Sequence, residues 1–229
     1  MMRTKTFFYM TLIGLLVIFL MACNGITGRV GESKIVSGSG NVITETREVS
    51  GFTAVSLQGF GEVIIDQNGS EALTVTADDN LMEHVKTEVR GGTLFIRNTE
   101  GVVFTDVTQL TFHIDAAALD SVELSGAGSM EISNLNTGSW RVKLPGAGSI
   151  TVSGQTNSQT VELSGAGSYN AADLVSQQAT ITSNGAGSAV VQVSDSLDVT
   201  INGLGSVEYI GSPTVTQEIN GVGSVRQRP

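Results

Sequence analysis

The chain has 229 residues, a formal net charge of −10, a single cysteine and only 5% aromatic residues. So acidic a net charge argues against DNA or RNA binding, which needs a basic face, and we expect no nucleic acid partner. The same charge argues against electrostatic adhesion to anionic lipid. A single cysteine excludes disulfide bonds and thiolate metal sites in the folded domain, and we expect no cofactor.

The first 22 residues have the features of a bacterial lipoprotein signal peptide. Two basic residues precede an apolar stretch from Phe7 to Leu20, and the segment ends in Leu20-Met21-Ala22-Cys23. This tetrapeptide resembles a lipobox, which implies cleavage before Cys23 and attachment of lipid to its sulfur. Several acyl chains would hold the protein at a membrane permanently. An ordinary secretory signal with an incidental cysteine and an uncleaved single-span anchor are the alternatives.

Residues 23–33 form a short polar tether that would keep the following domain close to the bilayer. Asn24 follows the cysteine, in place of the aspartate that tends to retain enterobacterial lipoproteins at the inner membrane. We therefore expect a membrane-anchored lipoprotein of the bacterial cell envelope, in the outer membrane. Residues 34–229 then form one domain that is long enough for a sizeable core.

Residues 34–118 are the irregular first part of this domain. Gly38-Ser39-Gly40-Asn41 and Gly59-Phe60-Gly61-Glu62 resemble degenerate copies of a glycine corner that recurs later in the chain. Residues 79–86 have the pattern of one short helix, and Gly91-Gly92 predicts a hairpin turn. We expect this part to cover one end of the domain, because an uncovered end would be an open sheet edge.

Residues 119–229 contain six copies of a Gly-x-Gly-Ser motif, spaced by 18–20 residues. Alternating apolar residues on both sides of each motif predict a strand, a turn and a second strand. Helical repeats are excluded, since their units have about 33 residues or more. The twelve glycines that we assign to structural turns are Gly126, Gly128, Gly146, Gly148, Gly165, Gly167, Gly185, Gly187, Gly203, Gly205, Gly221 and Gly223.

Stacking these repeats about 4.8 Å apart predicts an all-β fold, a parallel β-helix or β-solenoid with coils of 18–20 residues. Two apolar columns would run inside it, with an outward position between them. The columns are Val122, Val142, Val161, Ile181 and Val199, and Leu124, Leu144, Leu163, Ser183, Ile201 and Ile219; the outward position holds Glu123, Lys143, Glu162, Thr182, Thr200 and Glu218. Glycine suits the corners because they need positive φ or leave no room for a Cβ atom.

The repeated Ile-Asn-Gly-Val/Leu-Gly-Ser, at residues 201–206 and 219–224, resembles the motif of the head GIN domain family, formerly a domain of unknown function. The resemblance covers about residues 51–224 and includes Gly92-Thr93-Leu94-Phe95-Ile96. This family groups autotransporter-adhesin-like proteins of bacterial envelopes. The resemblance implies a parallel β-helix-like fold and an adhesive or structural role without established catalytic residues, and it transfers no functional residue.

The sequence shows no clear set of catalytic residues. Polysaccharide lyases and hydrolases on β-helices use clustered carboxylates, whereas Glu131 and Glu208 share a repeat position four coils apart. The stacked serines have no histidine in a repeating position, because His84 and His113 are single residues of the first part. Serine also occupies the place where calcium-binding repeats carry aspartate, so we expect no metal site.

These patterns together predict a non-catalytic, lipid-anchored envelope protein with an adhesive, polymer-binding or purely structural role. Flat ladders of Thr, Ser, Asn, Gln and Glu suit many weak contacts with a glycan or another envelope protein, in addition to the membrane contact through Cys23. The alternative is a polysaccharide lyase or hydrolase-like enzyme on the same scaffold.

Overall fold

The computed structural model describes residues 33–228, which contain seventeen strands and one short helix. The signal peptide, Cys23 and nearly all of the tether lie outside the described residues. No helix within residues 33–228 has the length and apolar character to cross a membrane. The elements are β1 (Lys34–Ser37), β2 (Val42–Arg47), β3 (Ala54–Leu57), β4 (Phe60–Asp66), β5 (Ala72–Asp78), α1 (Asp79–Met82), β6 (Val85–Arg90), β7 (Thr93–Asn98), β8 (Val102–Thr105), β9 (Leu110–Asp115), β10 (Ser121–Leu124), β11 (Ala127–Leu144), β12 (Ala147–Leu163), β13 (Ala166–Ser183), β14 (Ala186–Ile201), β15 (Leu204–Ile210), β16 (Thr214–Ile219) and β17 (Val222–Gln227).

The regular part is a parallel β-solenoid, which confirms the fold predicted from the repeat. Strands β10 to β15 each pair in parallel with the equivalent strand of the next coil, and β16 and β17 form the last coil. Gly128 pairs with Gly148 and Gly148 with Gly167, so the glycine corners lie in one vertical file. Each coil therefore lies directly over the coil about nineteen residues earlier.

Both predicted apolar columns are present inside the solenoid. Val142 pairs with Val122 and Val161, and Leu163 pairs with Leu144 and Ser183. Members of the two columns from residue 122 to residue 201 are all buried, whereas Ile219 in the last coil is 40% exposed. Parallel strands with one buried face are expected to alternate apolar and polar residues, as these strands do.

A chain of buried polar groups crosses this apolar interior. Trp140 Nε1 donates a hydrogen bond to the Tyr169 hydroxyl at 3.2 Å, and that hydroxyl donates to Gln159 Oε1 at 3.0 Å. Gln159 Nε2 then donates to Ser176 Oγ at 2.8 Å, which donates to the Gln192 carbonyl at 2.7 Å. Burial raises the pKa of the Tyr169 phenol, so it stays neutral as a donor. The network joins successive coils through side chains that are all satisfied.

The first part of the domain supplies two more coils, stacked in an order different from the chain order. β3 and β4 lie directly against β10 and β11, and Phe60 pairs with Ala127. β7 and β9 lie on the other side of β3 and β4, although they come later in the chain. The corner predicted at Gly59-Phe60-Gly61-Glu62 is confirmed, because it continues the file of glycine corners.

Antiparallel strands then cover this end of the solenoid. β5 pairs with β9, β2 pairs with β5, and β6 pairs with β7, all antiparallel. The turn predicted at Gly91-Gly92 is confirmed between β6 and β7. The predicted helix is wrong in length: it ends at Met82, because Val85 begins a strand that pairs with Asn98. The first part thus covers one end, as expected.

The segment Gly38–Asn41 is not a corner of the solenoid, so that sequence interpretation is wrong. Its glycines face Asp78, a fully buried carboxylate that accepts hydrogen bonds from the backbone N–H groups of Gly40 and Thr108, both at 2.8 Å. Burial alone raises the pKa of Asp78, but these hydrogen bonds outweigh it and hold the pKa below its ordinary value. The carboxylate therefore fixes the β1–β2 turn to the segment before β9.

Candidate functional site

The glycine corners stack so tightly that they leave no room for a side chain. A Cβ atom on Gly165 would overlap the carbonyl oxygen of Gly146, and the first glycine of every other motif meets the equivalent glycine in the same way. Of the twelve predicted turn glycines, only Gly128 and Gly148 have positive φ, at +156° and +154°. Space between coils, rather than backbone conformation, is therefore the main reason for glycine at these corners.

The residue between the two glycines of each corner points into solvent. We call the seven corners from residues 59–61 to residues 221–223 the corner file. Its exposed positions are Phe60, Ala127, Ala147, Ala166, Ala186, Leu204 and Val222. Four central alanines therefore lie between larger apolar residues at the two ends. A shallow groove of about 560 Å³ runs over the corners from Gly148 to Ser206.

A serine ladder borders one side of the corner file, and an asparagine ladder borders the other side at the last three corners. On one side, the serine of each motif pairs with the serine of the next coil, from Ser129 to Ser224. On the other side, Asn202 Nδ2 donates to Asn184 Oδ1 at 2.8 Å, and Asn220 Nδ2 donates to Asn202 Oδ1 at 3.0 Å. The surface therefore offers an apolar floor with a serine hydroxyl repeated once per coil on one side, about 4.8 Å apart, and with amide groups beside the last three corners on the other.

The residues weighed for catalysis remain apart. Glu131 and Glu208 lie in one outward column, four coils apart, with Thr151, Asn170 and Val190 between them. Within residues 33–228, no three or more His, Cys, Asp or Glu side chains are arranged to hold a metal ion. The structure thus brings together no carboxylate cluster at the predicted positions.

Neither histidine reaches the serine ladder. His84 Nε2 lies 3.6 Å from a carboxylate oxygen of Glu83, and its ring packs near Phe104. His113 lies in the outward column of Glu131, two coils from it, whereas Thr111 continues the column of the serines. The arrangement does not place a histidine next to a repeated serine.

Sequence reasoning missed that the outward column of Glu123 and Lys143 continues into the first part of the domain. Ser56 pairs with Glu123 on one side and with Phe95 on the other. One signal could have revealed it, because Val55-Ser56-Leu57 has the apolar–polar–apolar pattern of Val122-Glu123-Leu124 and also precedes a Gly-x-Gly corner. Basic residues gather around this column, as described below.

A family model described as "Putative auto-transporter adhesin, head GIN domain" matches residues 51–213. The chain belongs to this family. The resemblance inferred from the repeated motif is therefore confirmed, and the match includes both the irregular coils and most of the regular ones. No curated protein sequence matches this head GIN domain chain.

Three solved structures share the fold of this head GIN domain protein. A "putative adhesin" from Bacteroides fragilis NCTC 9343 has a TM-score of 0.73 at 22% identity, and covers 84% of this chain and 100% of its own. A "putative adhesin" from Parabacteroides distasonis ATCC 8503 has a TM-score of 0.52 at 20% identity. A "putative lipid binding protein" from the same organism has a TM-score of 0.54 at 22% identity. These two cover 85% and 86% of this chain and 100% of their own. Identities this low show the fold alone.

Proposed function

We propose that this head GIN domain protein is a non-catalytic, lipid-anchored adhesive scaffold of the bacterial cell envelope, which binds an extended polymer along its corner file. The observation that carries the proposal is the corner file itself, an apolar floor of small residues bordered by the serine ladder and, at the last three corners, by asparagines. Its matching family, described as adhesins, supports a role at the envelope.

A long repeating surface favours many weak contacts over one tight pocket. Each regular coil presents a serine hydroxyl and an exposed apolar side chain about 4.8 Å from the next, so a polymer lying along the solenoid axis meets these two groups at each step. Contacts that are individually weak add through their effective concentration, once the first of them has formed. We infer that a glycan chain suits this surface, because its hydroxyl groups match the serine ladder while its C–H faces contact the alanines.

Anchoring through Cys23 would hold the protein at a membrane, and Asn24 favours the outer membrane. The test is incorporation of radiolabelled palmitate into the full-length protein, compared with Cys23→Ala. Equal labelling of both proteins would contradict the lipid anchor. Membrane fractionation of the labelled cells then distinguishes the outer from the inner membrane.

The binding proposal can be tested with protein that lacks residues 1–23 and a panel of immobilised envelope and plant glycans. Ala166→Glu places a charge on the floor of the corner file, and Gln178→Glu places the same charge at an exposed position outside it. We expect Ala166→Glu to weaken retention about tenfold and Gln178→Glu to leave it unchanged. Equal retention by both variants would contradict the corner file as the binding surface, and chemical turnover of a glycan would favour the enzyme alternative.

A further inference from the structure

Basic side chains are concentrated on one outward face near the covered end of the solenoid. Nine lysine and arginine residues lie between residues 33 and 228 of this acidic chain. Five of them are on the outward sides of β6, β7 and β11, which share one sheet face with β3 and β10. We call this surface the basic face; its five basic residues are Lys86, Arg90, Arg97, Arg141 and Lys143.

The basic side chains of this face differ in whether an acidic partner balances them. Glu88 forms salt bridges with both Arg90, at 3.1 Å, and Arg97, at 3.2 Å. Neither Arg141 nor Lys143 forms a salt bridge with another residue in the part of the chain that the structure describes. Both are exposed; Lys143 lies between Glu123 and Glu162 in its outward column but forms no salt bridge with either, so both cations can turn toward a ligand.

A hollow of about 220 Å³ lies beside these two residues, with Phe95 and Glu123 also in its lining. Ser56 is on its floor and faces outward, because Val55 and Leu57 on either side are buried in the core. The Ser56 side chain is buried, with 3% of the residue exposed, yet its Oγ has no hydrogen-bond partner. A buried hydroxyl without a partner is unfavourable, which makes it a ready donor to an incoming acceptor.

We propose that this hollow binds the carboxylate of an acidic sugar residue in a glycan chain. The Arg141 guanidinium has the planar fork that matches a carboxylate, and Lys143 adds a second positive charge. Ser56 donates to the same group from the floor of the hollow. Phe95 supplies an aromatic surface for the apolar side of the sugar ring, with the Arg90 guanidinium 6.0 Å from its ring centre.

This inference rests on the proposed function, because it specifies which polymer the scaffold holds. The corner file offers only neutral groups and has no preference for charge. The basic face adds a site that favours acidic saccharides over neutral ones, on a protein whose net charge of −10 would otherwise repel them.

The probes are immobilised polygalacturonate, which carries carboxylates, dextran sulfate, which carries sulfate esters, and neutral dextran. Arg141→Gln combined with Lys143→Gln should weaken retention on polygalacturonate about tenfold. Arg226→Gln combined with Arg228→Gln removes the same charge at the other end of the solenoid and should leave retention unchanged. Equal losses for both double variants would overturn the site, since they would show a general charge effect.

Ser56→Ala separates binding from stability. Because Ser56 Oγ has no partner, its removal should leave the melting temperature unchanged or higher, while retention on polygalacturonate should fall several-fold. Unchanged retention would overturn the role of Ser56. Retention on dextran sulfate as strong as on polygalacturonate would overturn the preference for carboxylate. Retention of neutral glycans alone would contradict the carboxylate site but not the proposed function. Retention of no glycan at all would contradict both the site and the proposed function.

Discussion

The contact between stacked glycine corners predicts the effect of a single methyl group. In Gly165→Ala, the new Cβ would overlap the carbonyl oxygen of Gly146 and lie 2.5 Å from that of Pro145. Both are backbone atoms, so no side-chain movement can relieve the overlap. Separating the coils would stretch the hydrogen bonds from Gly165 N–H to the Leu144 carbonyl, at 3.0 Å, and from Ala166 N–H to the Gly146 carbonyl, at 3.1 Å.

The expected loss follows from these two costs. Overpacking costs about 1–3 kcal/mol, and each weakened backbone hydrogen bond adds about 0.5–1.5 kcal/mol at most. We therefore expect the free energy of unfolding to fall by about 3 kcal/mol. For a domain of this size, that corresponds to a melting temperature lower by about 6–12 °C. Thermal unfolding followed by far-ultraviolet circular dichroism measures it.

Gly138→Ala is the matched control. Its Cβ would find only Asn157 Nδ2 nearby, at 4.0 Å, and Gly138 does not have positive φ. The same chemical change should therefore be neutral or slightly stabilising, by up to about 1 kcal/mol, because alanine restricts the unfolded chain. If Gly165→Ala melts at the same temperature as Gly138→Ala, steric exclusion between coils is not the reason for glycine at the corners.

Three further variants test the interior, the covered end and the outward column. Tyr169→Phe should lower the free energy of unfolding by about 1–3 kcal/mol in urea, because it leaves buried polar partners unpaired, whereas Tyr209→Phe on the half-buried surface should change it less. The lowered pKa of Asp78 stabilises the fold above the ordinary carboxyl pKa, and that contribution is lost as pH falls through the native value; acid unfolding of Asp78→Asn should therefore show a smaller pH dependence. Lys143→Glu should lower the melting temperature by aligning three carboxylates, less so at high salt.

For each of these variants, one result would contradict the prediction. Equal losses for the two tyrosine variants would remove the special role of the buried network. An unchanged acid transition in Asp78→Asn would show that other groups control it. If Lys143→Glu has the same melting temperature as the wild type at low salt, exposed charges in neighbouring coils are too well screened to affect stability.

The regular coils could be predicted from the sequence because the glycine motif recurs at a nearly constant spacing of 18–20 residues. Each Gly-x-Gly fixes where a strand ends and the next begins, so the pairing of Val122 with Val142 follows from spacing alone. The same motif also predicted the corner at Gly59-Phe60-Gly61. The structure confirms this prediction, because Gly126 of the first regular coil packs directly against Gly59. Local pattern and stacking agree in this part of the chain.

The first part could be predicted only partly, because its coils lack that marker. The strand at Thr93–Asn98 has no Gly-x-Gly after it, so nothing in the sequence shows that it lies outside Ala54–Leu57 in the stack. Residues 85–86 have a helical pattern but join a strand, since pairing with β7 overrides local preference. The basic face was missed for the same reason: it joins residues from three separate segments, and only the stack brings Ser56 next to Arg141.

Alanine at the centre of the corner file is not explained by packing. The glycines on either side have no space for a Cβ atom, but the residue between them is exposed in every corner. Phe60, Leu204 and Val222 occupy the same position at the ends of the file and are 46%, 60% and 72% exposed, so the backbone accepts large side chains there. Small residues in the four central coils therefore shape the surface rather than the fold.

This distinction makes Ala166→Leu a test of function that leaves the architecture intact. Leucine already occupies this position at Leu204, so the melting temperature should stay close to that of the wild type. The added side chain would fill the groove between neighbouring corners. Retention of the protein on an immobilised glycan that the wild type binds should therefore fall about tenfold. A variant that binds normally would show that the polymer does not lie on the alanines. One that unfolds as early as Gly165→Ala would show that alanine, like its glycine neighbours, is required by the stack.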